Sequence, residues 1–438
     1  MRNYTYKTFF LIVILLLNLF LKNNSSAQSL SQVIITEINY NSDSTMNSGN
    51  WIELYNKSSV GVSLNNWVIH NNNNDFYTIG SGITLASHSY IVIFENLFEF
   101  NSIYPSVTNI NGPMNFGFGN NDDNIEVFDA SGNLVTNVAY GDSGIWGKGA
   151  DGNGRTLELN DYNGNQNNPG NWFTGCMFGS PGVPYSPCNP EIVFSEINYK
   201  SAANMNADDW VEIHNVSSSP IDLSQWSFKD DNDSDIFYLP AVTLQPDGYR
   251  VLCQDVGNFL GRHPTVSNLN GPFNFGLSRK GEALRLFDAN GKLSFSVVYD
   301  NNTPWPTSAD SGGYTLELNT IHGHMNDGNN WFAGCLEGSP GGAYDPSCGT
   351  GITEISTDIY NFHLLNSLSD DKVYIEVSGI EKYSAEKLSV FDIYGRRILS
   401  LPILNKKAEI DISQISSGIY FASIIYDGKY QTIKFVKQ

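Results

Sequence analysis

A chain of 438 residues, 41 % hydrophobic and only 16 % charged, is long enough for two to four domains and wets its surface with neutral polar groups. Its formal net charge of −21 repels phosphate backbones, so nucleic acid is not expected as a partner. With 40 glycines, 13 % aromatic residues and no long Ala/Leu/Glu/Lys run at helical spacing, it reads as all-β rather than as a helical bundle.

Residues 1–27 read as a signal peptide. Arg2 and Lys7 precede an apolar run, Phe9–Leu21, and Ser25 and Ala27 occupy the −3 and −1 places of a cut after Ala27. The run is short for a membrane span, and no Cys follows the cut to carry a lipid. No later stretch is apolar enough to cross a bilayer, so no transmembrane helix is expected in the mature chain. Export places the five cysteines in an oxidising setting.

From Val33 the chain is written twice. "TEINY" (Thr36–Tyr40) returns as "SEINY" (Ser195–Tyr199), and "NWIELYN" (Asn50–Asn56) as "DWVEIHN" (Asp209–Asn215). "VFDASGNL" (Val127–Leu134) returns as "LFDANGKL" (Leu286–Leu293), and "TLELN" (Thr156–Asn160) recurs unchanged at Thr315–Asn319. "NWFTGCMFGSPG" (Asn171–Gly182) closes the first copy and "NWFAGCLEGSPG" (Asn330–Gly341) the second. The offset is 159 residues throughout, which marks duplication of a whole domain rather than a short solenoid repeat. Within each copy "VIITEINY" and "WIELYN" alternate like half-buried strands. "EVFDASGNLVTNVAY" reads as a hairpin about Ser-Gly-Asn.

Cys176 and Cys188 enclose a short Gly/Pro loop, as do Cys335 and Cys348. Each pair reads as a disulfide that pins the closing loop to its own domain. The alternative is a metal site, which lacks Cys-x-x-Cys spacing and an adjacent His. Cys253 aligns with Phe94 and reads as a buried free thiol.

The runs "EINYN…WIELYN…LNNWVI", "FDASGNLV…VAYG" and the closing "W…GSPG" resemble the lamin-tail domain family, and the second copy fits as well. The resemblance covers 32–188 and 191–348. It implies immunoglobulin-like β-sandwiches with a binding or structural habit, and no catalytic residue to carry over. Only Asn189 and Pro190 separate the copies, so the pair is expected to be semi-rigid.

After Gly349 the repeat stops. "LSVFDIYGRRI" (Leu388–Ile398), "SSGIYFASI" (Ser416–Ile424) and "IKFVKQ" (Ile433–Gln438) resemble the C-terminal sorting domain of type IX secretion cargo in Bacteroidetes. The segment 356–438 is therefore expected to be a small β-sandwich that engages the type IX machinery and is then removed, leaving the protein released or anchored at the cell surface. Charge follows the same division. Gln28–Gly351 holds 34 acidic and 11 basic residues, a surface suited to cations, cationic glycans or basic proteins.

Few motifs suggest chemistry. "GDSG" around Ser143 and "DSGG" around Ser311 look like nucleophile loops, but neither serine recurs in the other copy. Glu37, Glu53, Glu196 and Glu212 are paired strand carboxylates capable of acid–base work. In a sandwich such groups face solvent or bond an adjacent loop. Asp231, Asp233 and Asp235 alternate like a calcium loop without its Gly and closing Glu. His322 and His324 make two ligands of a metal site with no third.

The expected fold is all-β: tandem immunoglobulin-like β-sandwiches plus a small C-terminal β-sandwich. The expected function is non-enzymatic, with no cofactor: an exported protein, secreted or attached to the outer cell surface, that binds an extracellular protein or glycan. The rival is an accessory region of a secreted hydrolase, or a cryptic one, calcium-dependent if the aspartates bind the ion.

Overall fold

The computed structural model describes residues 31–142, 144 and 146–346, and most strands of the tail between 361 and 437. The signal segment and the cut after Ala27 lie outside the described residues.

In the first copy, strands Trp172–Met177, Arg155–Leu159, Val33–Asn39, Trp51–Asn56, Tyr90–Phe94 and Ile110–Asn111 form a six-stranded sheet in that order. Leu134–Gly141, Asp122–Phe128, Val68–His70 and Phe76–Thr78 form a four-stranded sheet. Ile35, Ile38, Ile52 and Leu54 from the first meet Ile69, Ile125, Val127 and Val138 from the second, all fully buried. Such burial of aliphatic area is what chiefly stabilises a sandwich.

The second copy repeats this strand order. Leu269–Asn270, Tyr249–Cys253, Trp210–Asn215, Ile192–Asn198, Tyr314–Leu318 and Trp331–Leu336 form one sheet; Ile236–Tyr238, Ser227–Lys229, Glu282–Phe287 and Leu293–Tyr299 form the other. Trp51 and its counterpart Trp210 are both fully buried.

The central strands differ from the sequence reading. Alternation predicts half-buried strands, yet every residue of Val33–Asn39 is buried. The reason is a cover on the outer face. A short helix, Leu97–Ile103, capped by the Asn96 side chain, lays Phe100 against Trp51, Val92 and Phe94. Val256–Arg262, capped by Asp255, does the same in the second copy with Phe259 and Trp210. The closing loop covers the rest.

Cys176 and Cys188 are joined, with Cα atoms 5.4 Å apart. Cys335 is disulfide-bonded too; Cys348, its partner by the sequence reading, lies outside the described residues. Cys253 is a buried free thiol, and burial pushes its pKa up to about 11. Opening the first bridge with Cys188→Ser is expected to lower stability by roughly 3 kcal/mol, the chain-entropy value for so short a loop. Denaturant unfolding checks this; an unchanged midpoint would remove the staple role.

The tail is a separate compact unit. Asn361–Leu364, Lys372–Ser378 and Lys407–Asp411 make one sheet, and Leu368–Ser369, Lys429–Lys437, Gly418–Tyr426, Lys387–Asp392 and Arg397–Pro402 another. Val373, Ile375, Leu388, Val390, Ile410 and Phe435 form a core of its own.

Candidate functional site

The glutamates that stood out in the sequence meet on the outer face of the six-stranded sheet. A bulge between Ile35 and Glu37 turns Glu37 outward, opposite Glu53 on one neighbouring strand and Glu158 on the other. All three are buried, at 1, 2 and 3 % exposure. The closing loop caps them. The Ser180 N–H donates to Glu37 Oε1 (2.9 Å) and the Gly182 N–H to Glu53 Oε2 (2.6 Å). The Ser180 hydroxyl donates to Glu158 (3.0 Å), Thr156 to Glu37 and Thr36 to Glu53 (both 2.6 Å).

The second copy repeats each contact. Ser339 N–H reaches Glu196 (3.0 Å), Gly341 N–H reaches Glu212 (2.6 Å), and the Ser339 hydroxyl reaches Glu317 (2.6 Å). Thr315 donates to Glu196 (2.6 Å) and Ser195 to Glu212 (2.8 Å). Glu158 and Glu317 were not singled out from sequence. Their signal was the unchanged "TLELN" of both copies.

Burial, and then the neighbouring carboxylates, raise the pKa of Glu37 and Glu196 well above the ordinary value. Burial raises Glu53 and Glu212 to about 8 and Glu158 to about 7 against the hydrogen bonds they accept. A buried carboxyl without a cation avoids the cost of a buried charge by holding its proton. These groups thus act as hydrogen-bonding pins beneath the loop. Acid–base catalysis needs a carboxyl within reach of a substrate, and these are sealed.

The remaining candidates disperse. Asp231 accepts the Ala283 N–H (2.7 Å), Asp233 pairs with Lys229 (3.5 Å) and Arg285 (3.1 Å), and Asp235 accepts from Asn232 (3.0 Å). Their carboxylates turn to separate partners. His322 bonds the Cys188 carbonyl through Nδ1 (2.9 Å), while His324 stacks on Phe173 at 4.1 Å. Among the described residues no group of three or more His, Cys, Asp or Glu is arranged to hold a metal ion. Ser311 is exposed and bonds Asp310 (3.2 Å) and Arg279 (3.4 Å). Ser143 lies outside the described residues.

Those two histidines belong instead to a contact between the copies, which sequence reading did not foresee. Arg155, 1 % exposed, donates to the Gly175 carbonyl (2.9 Å) in its own copy and to the Ser296 carbonyl (2.7 Å) in the other. Its guanidinium lies over Phe295, 5.4 Å from the ring centre. Burial lowers its pKa to about 10, so it stays charged at neutral pH. The Ser296 hydroxyl donates to the Asn153 carbonyl (2.6 Å), and Thr45 Oγ1 accepts the Leu293 N–H (2.9 Å). Met177 packs on the second copy's core. Beside this contact opens a cleft of about 670 Å³, lined by Trp146, Lys148 and Phe173 from the first copy and by Asp300, Trp305 and Asn329 from the second.

Comparison with known proteins follows the same division. The Lamin Tail Domain family matches residues 26–142 and 186–301, together more than half the chain, and the Secretion system C-terminal sorting domain matches 369–438. No curated protein sequence matches. Among solved structures, a biofilm-associated protein BSP domain is 11 % identical, with 95 % of this chain and 84 % of that one covered at a TM-score of 0.17. Dimeric latent PorU of Porphyromonas gingivalis is 11 % identical (93 % and 34 % covered, TM-score 0.16). PorZ, an essential bacterial surface component of the type-IX secretion system of the same organism, is 12 % identical (93 % and 51 % covered, TM-score 0.16). At such scores these likenesses carry no argument. No described helix is long and apolar enough to cross a membrane. With the repeats and the tail matched, the chain belongs to the Lamin Tail Domain family and is a secreted or cell-surface protein bearing a type IX sorting domain.

Proposed function

We propose that this exported protein is non-catalytic, and that its two lamin-tail domains together form a binding or structural module for an extracellular protein or glycan. One observation carries the reading: in both copies the paired glutamates are enclosed and bonded to the closing loop of their own domain. The repeated carboxylates serve architecture twice over. The direct contact between the copies supports their acting as one module.

The test sets binding against turnover. Purified protein is passed over a glycan array and over cell-surface extracts, and is assayed against polysaccharide and peptide substrates. Saturable binding without turnover is the expected result. Hydrolysis that Glu53→Gln or Glu212→Gln abolishes, with folding intact, would overturn the reading. The tail is proposed to act only as an address. Deleting Ser356–Gln438 is expected to leave both repeats folded and trap them in the periplasm, as cell fractionation would show. A truncated form that still reaches the surface or medium would contradict that role.

A further inference from the structure

The contact between the copies is asymmetric, and each copy keeps exposed the half it does not use. The first copy presents Arg155, Met177 and the Phe173–Tyr185 pair. The second receives them on its edge strand Leu293–Tyr299 and on His324, which stacks on Phe173 and meets Tyr185 edge-on. Leu293 is buried there to 2 %. Gly154 makes room for it, since a Cβ at that position would come within 2.6 Å of Leu293 Cδ2.

The repeat offset carries both halves to the far ends of the pair. On the second copy, Tyr314, Leu336 and the Phe332–Tyr344 pair stand where Arg155, Met177 and Phe173–Tyr185 stand in the first. The Phe332–Tyr344 rings keep the same edge-on geometry, 4.8 Å and 80° against 4.8 Å and 76°. Yet Tyr314, Leu336 and Tyr344 are 37, 46 and 37 % exposed. On the first copy, Leu134 is the counterpart of Leu293 and is 51 % exposed. It borders an open concavity of about 560 Å³ lined also by Asn137, Asn165 and Asn167. The matching positions of the second copy, Ser296, His324 and Asn326, are where the first copy is seated.

We propose that the protein assembles head to tail with itself, the Tyr314/Leu336 face of one chain docking on the Leu134 edge of the next. The occupant is a second copy of this chain because the fit is already made once inside it. Both faces also carry exposed apolar side chains, and Leu134–Gly141 is a sheet edge, a natural docking strip. A contact between two different faces does not close on itself as a two-fold dimer does, so it repeats into a row or a ring. The charged parts of the internal contact are not copied. Tyr314 replaces Arg155, and Thr307 and Gly141 replace the Lys148–Asp300 ion pair. The contact between chains is therefore weaker than the tethered one and reversible.

Sedimentation velocity of the full chain over a range of concentrations tests this. Wild type is expected to form an open series of species above the monomer. Leu134→Asp and Leu336→Asp, each at an exposed position and each checked for an unchanged melting curve, are expected to sediment only as monomers. Mixed in equal amounts, the two variants keep one intact face each and are expected to form a single dimer and nothing larger. A wild type that stays monomeric, assemblies that survive either substitution, or a mixture that stays monomeric while wild type assembles would each overturn the proposal.

Discussion

Alanine at Gly179 or at Gly338 is expected to destabilise its repeat by about 3 kcal/mol or more, among the largest effects of any single substitution in this chain. Both glycines sit in the closing loop with φ of +69° and +85°. That region costs an L-residue roughly 1–2 kcal/mol. Steric contact costs more. A Cβ on Gly179 would lie 2.0 Å from Glu37 Oε1, and one on Gly338 would lie 2.3 Å from Glu196 Oε1. The carboxyl that accepts the loop N–H of Ser180 or Ser339 and the strand hydroxyl of Thr156 or Thr315 would have to leave, stranding those donors under cover. Gly132 supplies the control, with φ of +79° and nothing within 4 Å of where a Cβ would stand. Denaturant unfolding of Gly179→Ala beside Gly132→Ala separates strain from contact. Equal losses would mean that the loop does not depend on the glutamate beneath it.

A second large effect is expected with pH. Glu53 and Glu212 hold their protons to about pH 8 in the folded chain and Glu158 to about 7, against an ordinary value of 4.5. Between those limits the folded chain binds more protons than the unfolded one, so stability is full at the acid end and falls as pH rises. Each pH unit over which such a group stays protonated beyond its ordinary value corresponds to about 1.4 kcal/mol, so above pH 6.5 alone these three groups are expected to lose about 5 kcal/mol. Histidines 214, 263 and 324 act in the opposite sense. Burial lowers their pKa, and their contribution is lost as pH falls below 6.5. The informative comparison therefore runs from pH 6.5 to 9, where the melting temperature is expected to fall. Glu53→Gln with Glu212→Gln is expected to flatten that fall, since the amide keeps an acceptor and carries no charge. A melting temperature that rises across this window would contradict the assignment.

Much of this was legible in the sequence. The constant offset fixed a duplication, and the hairpin about Ser131–Asn133 and the Cys176–Cys188 staple follow from local spacing. The glutamates were visible as candidates, and bonding to an adjacent loop was one of the two roles expected of them. Their depth was not visible. It depends on a bulge at Thr36, on short helices capped by Asn96 and Asp255, and on a loop that returns from over 140 residues away. Helices of 7 residues are too short to leave a periodic signal. The contact between the copies was hidden for another reason. Several of its polar residues are those at which the copies diverge, such as Arg155 against Tyr314 and His324 against Asn165, and a repeat draws the eye to what is kept.

The central claim is that the paired glutamates of each repeat are protonated pins of its closing loop. Carbon-13 NMR of the full chain labelled at the glutamate carboxyl, followed from pH 5 to 9, tests it most directly. The expected result is a set of resonances that stays at the protonated position past pH 6, moves only near pH 7 to 8, and loses members in Glu53→Gln and Glu212→Gln. If every glutamate carboxyl titrates near the ordinary value of 4.5, these groups are ionised and reached by water, and the architectural reading of the repeat is wrong.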